Sequence, residues 1–150
     1  MSQTNIDLAL TGLLMDRVVR LGAAHYPKVY GELGISKPAL VALVAIAAAG
    51  PLRQARLADA SGIDRASLVA VLNELESAGL ATRGPDPDDR RAHAVSVTAQ
   101  GRKVLARARE LAAQDGFFSV LSTDERATLN ALLQRLIAAH APAADAGRTG

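Results

Sequence analysis

The chain has 150 residues and a mass of 15.6 kDa, which suits one domain large enough to bury a hydrophobic core. Apolar residues make up 49% and charged residues 21%, a composition that excludes disordered and fibrous proteins. A net charge of +2 is too small to indicate nucleic-acid binding by itself, and the lack of cysteine excludes disulfides, thiolate metal sites and thiol-based redox sensing.

Alanine dominates the apolar residues, with 31 copies, and aromatic residues are only 3%, so a helical protein is expected. Three histidines do not favour a multi-histidine metal site, and no metal or cofactor is predicted. The N-terminal MSQTNID lacks the basic and apolar regions of a signal peptide. The longest apolar run, residues 38–50, is too short to span a bilayer, so a cytoplasmic protein without a membrane partner is expected.

Apolar spacing and capping signals predict helices along most of the chain. Pro27 is expected to interrupt the first helix, and Gly34 to end the piece that follows. Ser36, Asp64 and Thr98 are predicted N-caps. The predicted helices cover residues 5–26, 29–33, 37–49, 54–60, 65–78, 99–115 and 122–140, the last opened by a Ser-x-x-Glu capping box.

Two short extended segments, residues 80–83 and 93–98, flank a charged stretch and predict a β-hairpin. In the hairpin, Val95 and Val97 are expected on one side. The connecting residues 84–92 hold two prolines and five charges, which predicts a protruding tip and not a strand or a buried loop.

The order helix, turn, helix, hairpin predicts a winged helix-turn-helix, a mainly α fold with a small β-hairpin wing. Within residues 54–72, a small residue at Ala58, a turn at Gly62 and apolar fillers at Leu68 and Leu72 fit this motif. The N-terminus of the second helix would offer free N–H groups and a positive dipole end to phosphate, and its outer face would reach bases. The alternative is a helical hairpin that only packs.

The predicted tip places Arg90 and Arg91 away from the body, where an arginine can enter a minor groove. Asp86, Asp88 and Asp89 would repel phosphate, so Asp89 is expected to hold an arginine in an extended pose through an ion pair. The alternative is a solvated charged turn.

One combination of motifs resembles the multiple antibiotic resistance regulator (MarR) family. It is Asp-Pro-x-Asp-Arg-Arg-Ala over residues 86–92 followed by Val-x-Val-Thr-x-x-Gly over residues 95–101. The resemblance extends over about residues 5–140. It implies a two-fold dimer with interleaved terminal helices that binds a pseudo-palindromic DNA operator. It also implies a small aromatic or phenolic effector that releases the DNA.

Site residues follow from the resemblance position by position. Arg91 matches the arginine that enters the minor groove, Arg90 its basic neighbour, and Ser67 a phosphate contact. Arg65 and Gln54 match polar positions at helix starts. The full predicted DNA-contacting set is Arg53, Gln54, Arg65, Ala66, Ser67, Val69, Ala70, Asn73, Arg90 and Arg91, with Asp89 stabilising the wing.

The chain departs from the family pattern at three positions. Val69 and Ala70 are apolar where the family often has a polar residue followed by arginine, which reduces hydrogen-bonded base readout. They could still contact thymine methyl groups. Arg53 replaces the usual serine or threonine cap, and it is expected to add a phosphate partner.

An effector pocket is expected near the Pro27 break, lined by His25, Tyr26 and Tyr30, with Arg17 available to neutralise a carboxylate. The alternative is that the three ring side chains only pack and that Arg17 is a solvated charge on the helix face. The expected organisation is dimerisation helices at 5–34 and 99–140, a winged helix-turn-helix at 37–98 and a disordered tail at 141–150.

The predicted function is a sequence-specific, ligand-responsive transcriptional repressor that binds double-stranded DNA as a homodimer. A rival is a winged-helix dimer used for protein–protein interaction. Catalysis is not expected, because no nucleophile elbow, phosphate loop or HExxH motif is present.

Overall fold

The computed structural model describes residues 3–140 as seven helices and one two-stranded antiparallel sheet. The order matches the sequence prediction, with element ends shifted by one or two residues. The elements are α1 (Gln3–His25), α2 (Pro27–Leu33), α3 (Lys37–Ala49), α4 (Gln54–Ser61), α5 (Arg65–Ser77), β1 (Ala81–Pro85), β2 (His93–Val97), α6 (Ala99–Asp115) and α7 (Thr123–His140). The fold is a mainly α winged helix-turn-helix.

Side-chain caps fix where the helices begin. The Ser36 hydroxyl accepts the Ala39 N–H at 3.2 Å, and Thr98 does the same for Gly101 at 3.0 Å. At α7, Ser122 and Glu125 form the predicted capping box, each side chain accepting the other residue's N–H. These bonds satisfy donors that a helix leaves free, which is why the starts of α3, α6 and α7 were readable from the sequence.

The hydrophobic core lies in the winged lobe, which we define as residues 35–105. Its buried residues come from α3, α4, α5, the hairpin and the start of α6. The largest side chains with less than 2% of their surface exposed are Leu43, Ile46, Leu57, Leu68, Leu72 and Leu75. The predicted fillers of the helix-turn-helix are therefore core residues.

The hairpin differs from its prediction in two details. Strand β1 continues through Gly84 and Pro85, which pair with Ala94 and His93, so the tip is residues 86–92 and not 84–92. Val95 is buried and Val97 packs against the same core, as predicted, but Ala94 is also buried, so burial does not alternate strictly along β2.

The terminal helices α1 and α7 lie largely outside this core. Helix α7 has no buried residue among those described, although its apolar stripe is present as predicted. Leu13 on α1 is 66% exposed and Leu132 on α7 is 49% exposed. The interruption at Pro27 is present, with Tyr26 as a turn between α1 and α2.

Two predictions concern the chain ends. Helix α1 begins two residues before its predicted start at residue 5, since Gln3 and Thr4 are already helical. The expected disordered tail, 141–150, lies outside the described residues. Between residues 3 and 140, no helix alone has the length and apolar content to cross a bilayer; only α2 and α3 together do, and they are bent by 77°.

Candidate nucleic-acid interface

Helix α5 presents one buried and one exposed face, as a recognition helix requires. Leu68 and Leu72 pack into the lobe against α3 and α4. The predicted contact residues on the opposite face are all exposed: Arg65, Ala66, Ser67, Val69, Ala70 and Asn73. Gln54 is exposed at the first position of α4. Packing thus turns this whole predicted set outward.

The N-terminus of α5 is less open to phosphate than the sequence predicted. The Asp64 carboxylate accepts the Ser67 N–H at 2.9 Å, so this donor is already used. Hydrogen bonds from the Ser67 side chain and backbone lower the pKa of Asp64, which keeps the cap negatively charged at neutral pH. This bond is the predicted N-cap of Asp64, and it occupies one of the N–H groups at this end of α5.

The wing tip is a compact turn and not a loose loop. The Asp86 N–H donates to the Ala92 carbonyl and the Ala92 N–H to the Asp89 carbonyl, both at 2.9 Å. The Asp89 carboxylate accepts the Arg91 N–H at 3.0 Å. Arg90 and Arg91 are exposed, and the structure gives their guanidinium groups no ion pair within residues 3–140. They are available to a partner outside the protomer.

Arg53 is not placed as predicted. Its Nε donates to the Asp86 carboxylate at 2.5 Å and one terminal nitrogen donates to Asp89 at 3.3 Å. Arg53 is thus already paired with two carboxylates, but its side chain is 46% exposed, so the expectation that it adds a phosphate partner stays a prediction. The expected ion pair of Asp89 exists, but its arginine comes from the segment before α4 and not from the wing.

Asp86 is the wing residue whose role the sequence analysis missed. Among the described residues it is the only charged one that is buried, with 8% of its surface exposed. The hydrogen bond from Arg53 lowers the pKa of Asp86, and the same bond raises the pKa of Arg53. The sequence feature that could have indicated this pair is Arg53 itself, which stands where the family usually has a serine or threonine cap.

A cavity of about 430 Å³ lies between α2, α3 and α6, beside the Pro27 break. Tyr26 and Tyr30 line it, as predicted, and burial raises the pKa of Tyr30 above its usual value. Arg109 is its one charged lining residue. The remaining walls are apolar: Val29, Leu40, Val44, Ala47, Ala48, Leu105, Ala108 and Ala112.

The other two predicted pocket residues lie elsewhere. His25 packs its ring on Phe117, with centroids 5.0 Å apart, and Arg17 is exposed on α1. Neither lines this cavity. Arg109 was missed, although its position four residues after Leu105 puts both on one face of α6.

Comparison with known proteins identifies the family to which the chain belongs. The sequence profile of the MarR family matches residues 33–92. The transcriptional regulator HosA of Escherichia coli O157:H7 is 30% identical over 105 residues, covering 69% of this chain and 78% of HosA. The chain belongs to the MarR family. The relatives named here are transcriptional regulators, not enzymes.

A protein of Thauera aromatica, assigned as the transcriptional regulatory protein for the hcr operon, is 42% identical over 102 residues. The match covers 66% of this chain and spans 61% of that relative's length. Like HosA, this relative of the chain is a regulator of transcription.

Two solved structures extend the likeness along most of the chain. A mutant MarR from E. coli complexed with operator DNA has a TM-score of 0.64 at 26% identity, covering 91% of this chain and 99% of that one. Bordetella bronchiseptica BpsR has a TM-score of 0.65 at 25% identity, covering 85% and 98%. DNA binding by BpsR is regulated by 6-hydroxynicotinic acid.

Proposed function

We propose that this MarR-family chain is a ligand-responsive transcriptional repressor that binds a pseudo-palindromic DNA operator as a homodimer. The observation that carries the proposal is the pairing of an exposed α5 face with a wing whose Arg90 and Arg91 have no ion pair in the described protomer. A helix of this kind enters a major groove, while arginines on a rigid hairpin reach the flanking minor groove. Such a regulator would act in the cytoplasm, beside the chromosome.

Helix α5 would recognise its operator more through the shape of the DNA than through hydrogen bonds to bases. Val69 and Ala70, in the middle of the exposed face, can contact thymine methyl groups but cannot donate hydrogen bonds. Arg65 and Asn73 are the polar side chains that flank them. We therefore assign much of the affinity to phosphate and minor-groove contacts, which depend on salt.

The dimer is proposed from the terminal helices. Exposed apolar side chains run along both, including Leu13 and Val19 on α1 and Leu132 and Ile137 on α7. A protomer that left these faces in water would carry a large apolar patch, which monomeric proteins rarely do. We assign dimerisation to residues 5–34 and 99–140, and DNA binding to residues 37–98.

The effector site is proposed in the cavity that holds Arg109. Apolar walls, two tyrosines and one guanidinium suit a small aromatic acid, whose ring would lie on the walls and whose carboxylate would pair with Arg109. The 6-hydroxynicotinic acid that regulates BpsR has this chemistry. Arg109 thus takes the role that was predicted for Arg17.

A structural route joins this cavity to α5. Leu40 and Val44 line the cavity from α3, and the first turn of α3 is held by α5. There the Glu74 carboxylate accepts both the N–H and the hydroxyl of Ser36 at 2.7 Å. An effector that displaced α3 would pull on the recognition helix through Glu74, favouring one conformation of the dimer.

The test of the proposed function is binding to DNA from the region upstream of the gene, compared with scrambled DNA of equal length over several salt concentrations. Arg91→Ala should weaken operator binding by about 1–3 kcal/mol and reduce the salt slope by roughly one charge per subunit. Arg135→Ala removes the same charge from α7 and should do neither. Equal affinity of the unmodified protein for both DNAs would contradict sequence-specific binding.

The effector assignment has its own test. Addition of 6-hydroxynicotinate or 4-hydroxybenzoate should raise the melting temperature and release the DNA, and Arg109→Ala should remove both effects. Lys103→Ala, on the same helix but outside the cavity, is the control for loss of a positive charge. A melting-temperature shift that survives Arg109→Ala would place the effector elsewhere.

A further inference from the structure

The segment between α3 and α4 is attached to the wing at two consecutive residues. Leu52 and Val95 exchange both backbone hydrogen bonds, at 2.8 and 3.0 Å, as a short antiparallel bridge. The next residue, Arg53, spans the Asp86 and Asp89 carboxylates with its guanidinium. Because α4 begins directly after Arg53, the helix-turn-helix and the wing share one junction.

Each carboxylate in this junction also holds the backbone of the wing tip. Asp86 accepts the Asp88 N–H at 2.8 Å, and Asp89 accepts the Arg91 N–H at 3.0 Å. Arg53 is thus connected through one intermediate side chain to the backbone that carries Arg91. A guanidinium has the donor geometry to bridge two carboxylates, whereas a lysine ammonium is a point charge on a flexible stem.

The charges of the tip explain why such a bridge matters. Residues 86–92 contain three carboxylates and two guanidinium groups, so the tip by itself carries one net negative charge. A tip of that charge would be repelled by DNA phosphate. Arg53 neutralises one charge and draws two carboxylates towards α4, while Arg90 and Arg91 remain exposed.

We propose that Arg53 is a positioning residue for the wing: it bridges Asp86 and Asp89, and so presents Arg91 to the minor groove without contacting phosphate itself. This proposal rests on the proposed DNA-binding function. It replaces the expectation, drawn from the sequence, that Arg53 is a phosphate contact. It also assigns a role to Asp86, a carboxylate that would otherwise only oppose binding.

A first experiment compares substitution of a carboxylate inside the bridge, Asp86, with substitution of one outside it, Asp88. Asp86→Asn removes a negative charge near DNA, so electrostatics alone would tighten binding, and a released Arg53 that contacts phosphate would tighten it further. If Arg53 positions the wing, Asp86→Asn should instead weaken operator binding by about tenfold, the cost of a lost charged hydrogen bond. Asp88→Asn, on the same tip but outside the bridge, should bind as tightly as the unmodified protein or slightly better. Tighter binding by Asp86→Asn would overturn the proposal.

A second experiment is a double-mutant cycle of Arg53→Ala and Arg91→Ala, with DNA affinity and salt slope as readouts. A positioning role predicts that Arg53→Ala weakens binding alone but adds little in the Arg91→Ala background, with no further fall in salt slope. An independent phosphate contact predicts additive losses and a further fall of roughly one charge per subunit, which would overturn the proposal.

A measurement without DNA separates this proposal from the proposed function. Hydrogen exchange at the Asp88 and Arg91 amides should become at least several-fold faster in Arg53→Ala, while the Leu68 amide in α5 should not change. Unchanged exchange at the tip would overturn the positioning role even if the protein binds operator DNA. Absence of DNA binding by the unmodified protein would reject the proposed function and leave the bridge itself measurable by exchange.

Discussion

Leucine side chains are buried in the winged lobe but exposed on the terminal helices. In the lobe, Leu43 on α3, Leu57 on α4 and the three leucines of α5 have no exposed surface within one protomer. In α1 and α7, leucines with equally regular spacing remain about half exposed. Spacing therefore identifies the apolar face of a helix, but it does not tell whether the protomer itself covers that face.

The difference separates two kinds of stability. The lobe has a complete core, so its packing should hold at any protein concentration. The terminal helices present faces that a second copy would cover, so their contribution should depend on concentration. Substitutions with the same chemistry in the two regions should therefore act on different equilibria.

The largest effect is expected for Leu72→Ala in the lobe core. Leu72 has no exposed surface, so truncation leaves a cavity and should lower the unfolding free energy by about 2–5 kcal/mol. Denaturant unfolding at two protein concentrations should give the same loss. A loss below about 1 kcal/mol would mean that the lobe is not the independent core described.

A comparable effect is expected at Gly101, where α6 leaves the hairpin. A Cβ atom there would lie 2.1 Å from the Leu80 carbonyl oxygen and 2.8 Å from a Val97 methyl carbon. Because a backbone atom cannot rotate away, Gly101→Ala should cost about 3 kcal/mol of unfolding free energy.

Gly31→Ala is the matched control for Gly101→Ala. A Cβ atom at Gly31 would have no neighbour within 4 Å, so the substitution should be neutral or stabilising by up to about 1 kcal/mol. Thermal unfolding of both variants checks the pair. Equal melting temperatures would contradict the close approach of α6 to Leu80.

Leu132→Ala is the same leucine-to-alanine change as Leu72→Ala, but it is placed on the exposed apolar stripe of α7. Its effect should fall on the dimer and not on the fold of the protomer. Sedimentation should show dissociation easier by about 2 kcal/mol, since a two-fold interface loses the side chain twice. A single 15.6 kDa species in the unmodified protein at micromolar concentration would reject the dimer altogether.

The smallest effect is expected from acidification. Asp64 and Asp86 in the lobe and Glu125 on α7 all have a lowered pKa, because each carboxylate accepts hydrogen bonds in the folded state. Their stabilisation is present above the unfolded pKa, about 4, and is lost as pH falls through the lower folded values. Urea unfolding between pH 7 and pH 3 should show this loss, and Asp86→Asn should flatten it. An unchanged pH profile in Asp86→Asn would argue against the ion pair with Arg53.

Most of the fold was accessible from the sequence because its signals are local. Ser36, Thr98 and the Ser122–Glu125 box bond to backbone within three residues, so spacing alone locates them. The outward face of α5 was equally readable from its 3.6-residue period. The site was less accessible, since Arg53 and Asp86 are 33 residues apart and no local rule pairs them.

The helices, the hairpin, the family resemblance and the outward face of α5 follow from the sequence alone, because caps, periodicity and motifs act within a few residues. Which charged side chains remain unpaired depends on tertiary packing. Folding the wing against the start of α4 committed Arg53 to Asp86 and Asp89, and left Arg90 and Arg91 exposed. It likewise assigned the cavity charge to Arg109 and not Arg17, since helix packing determines which side chains converge.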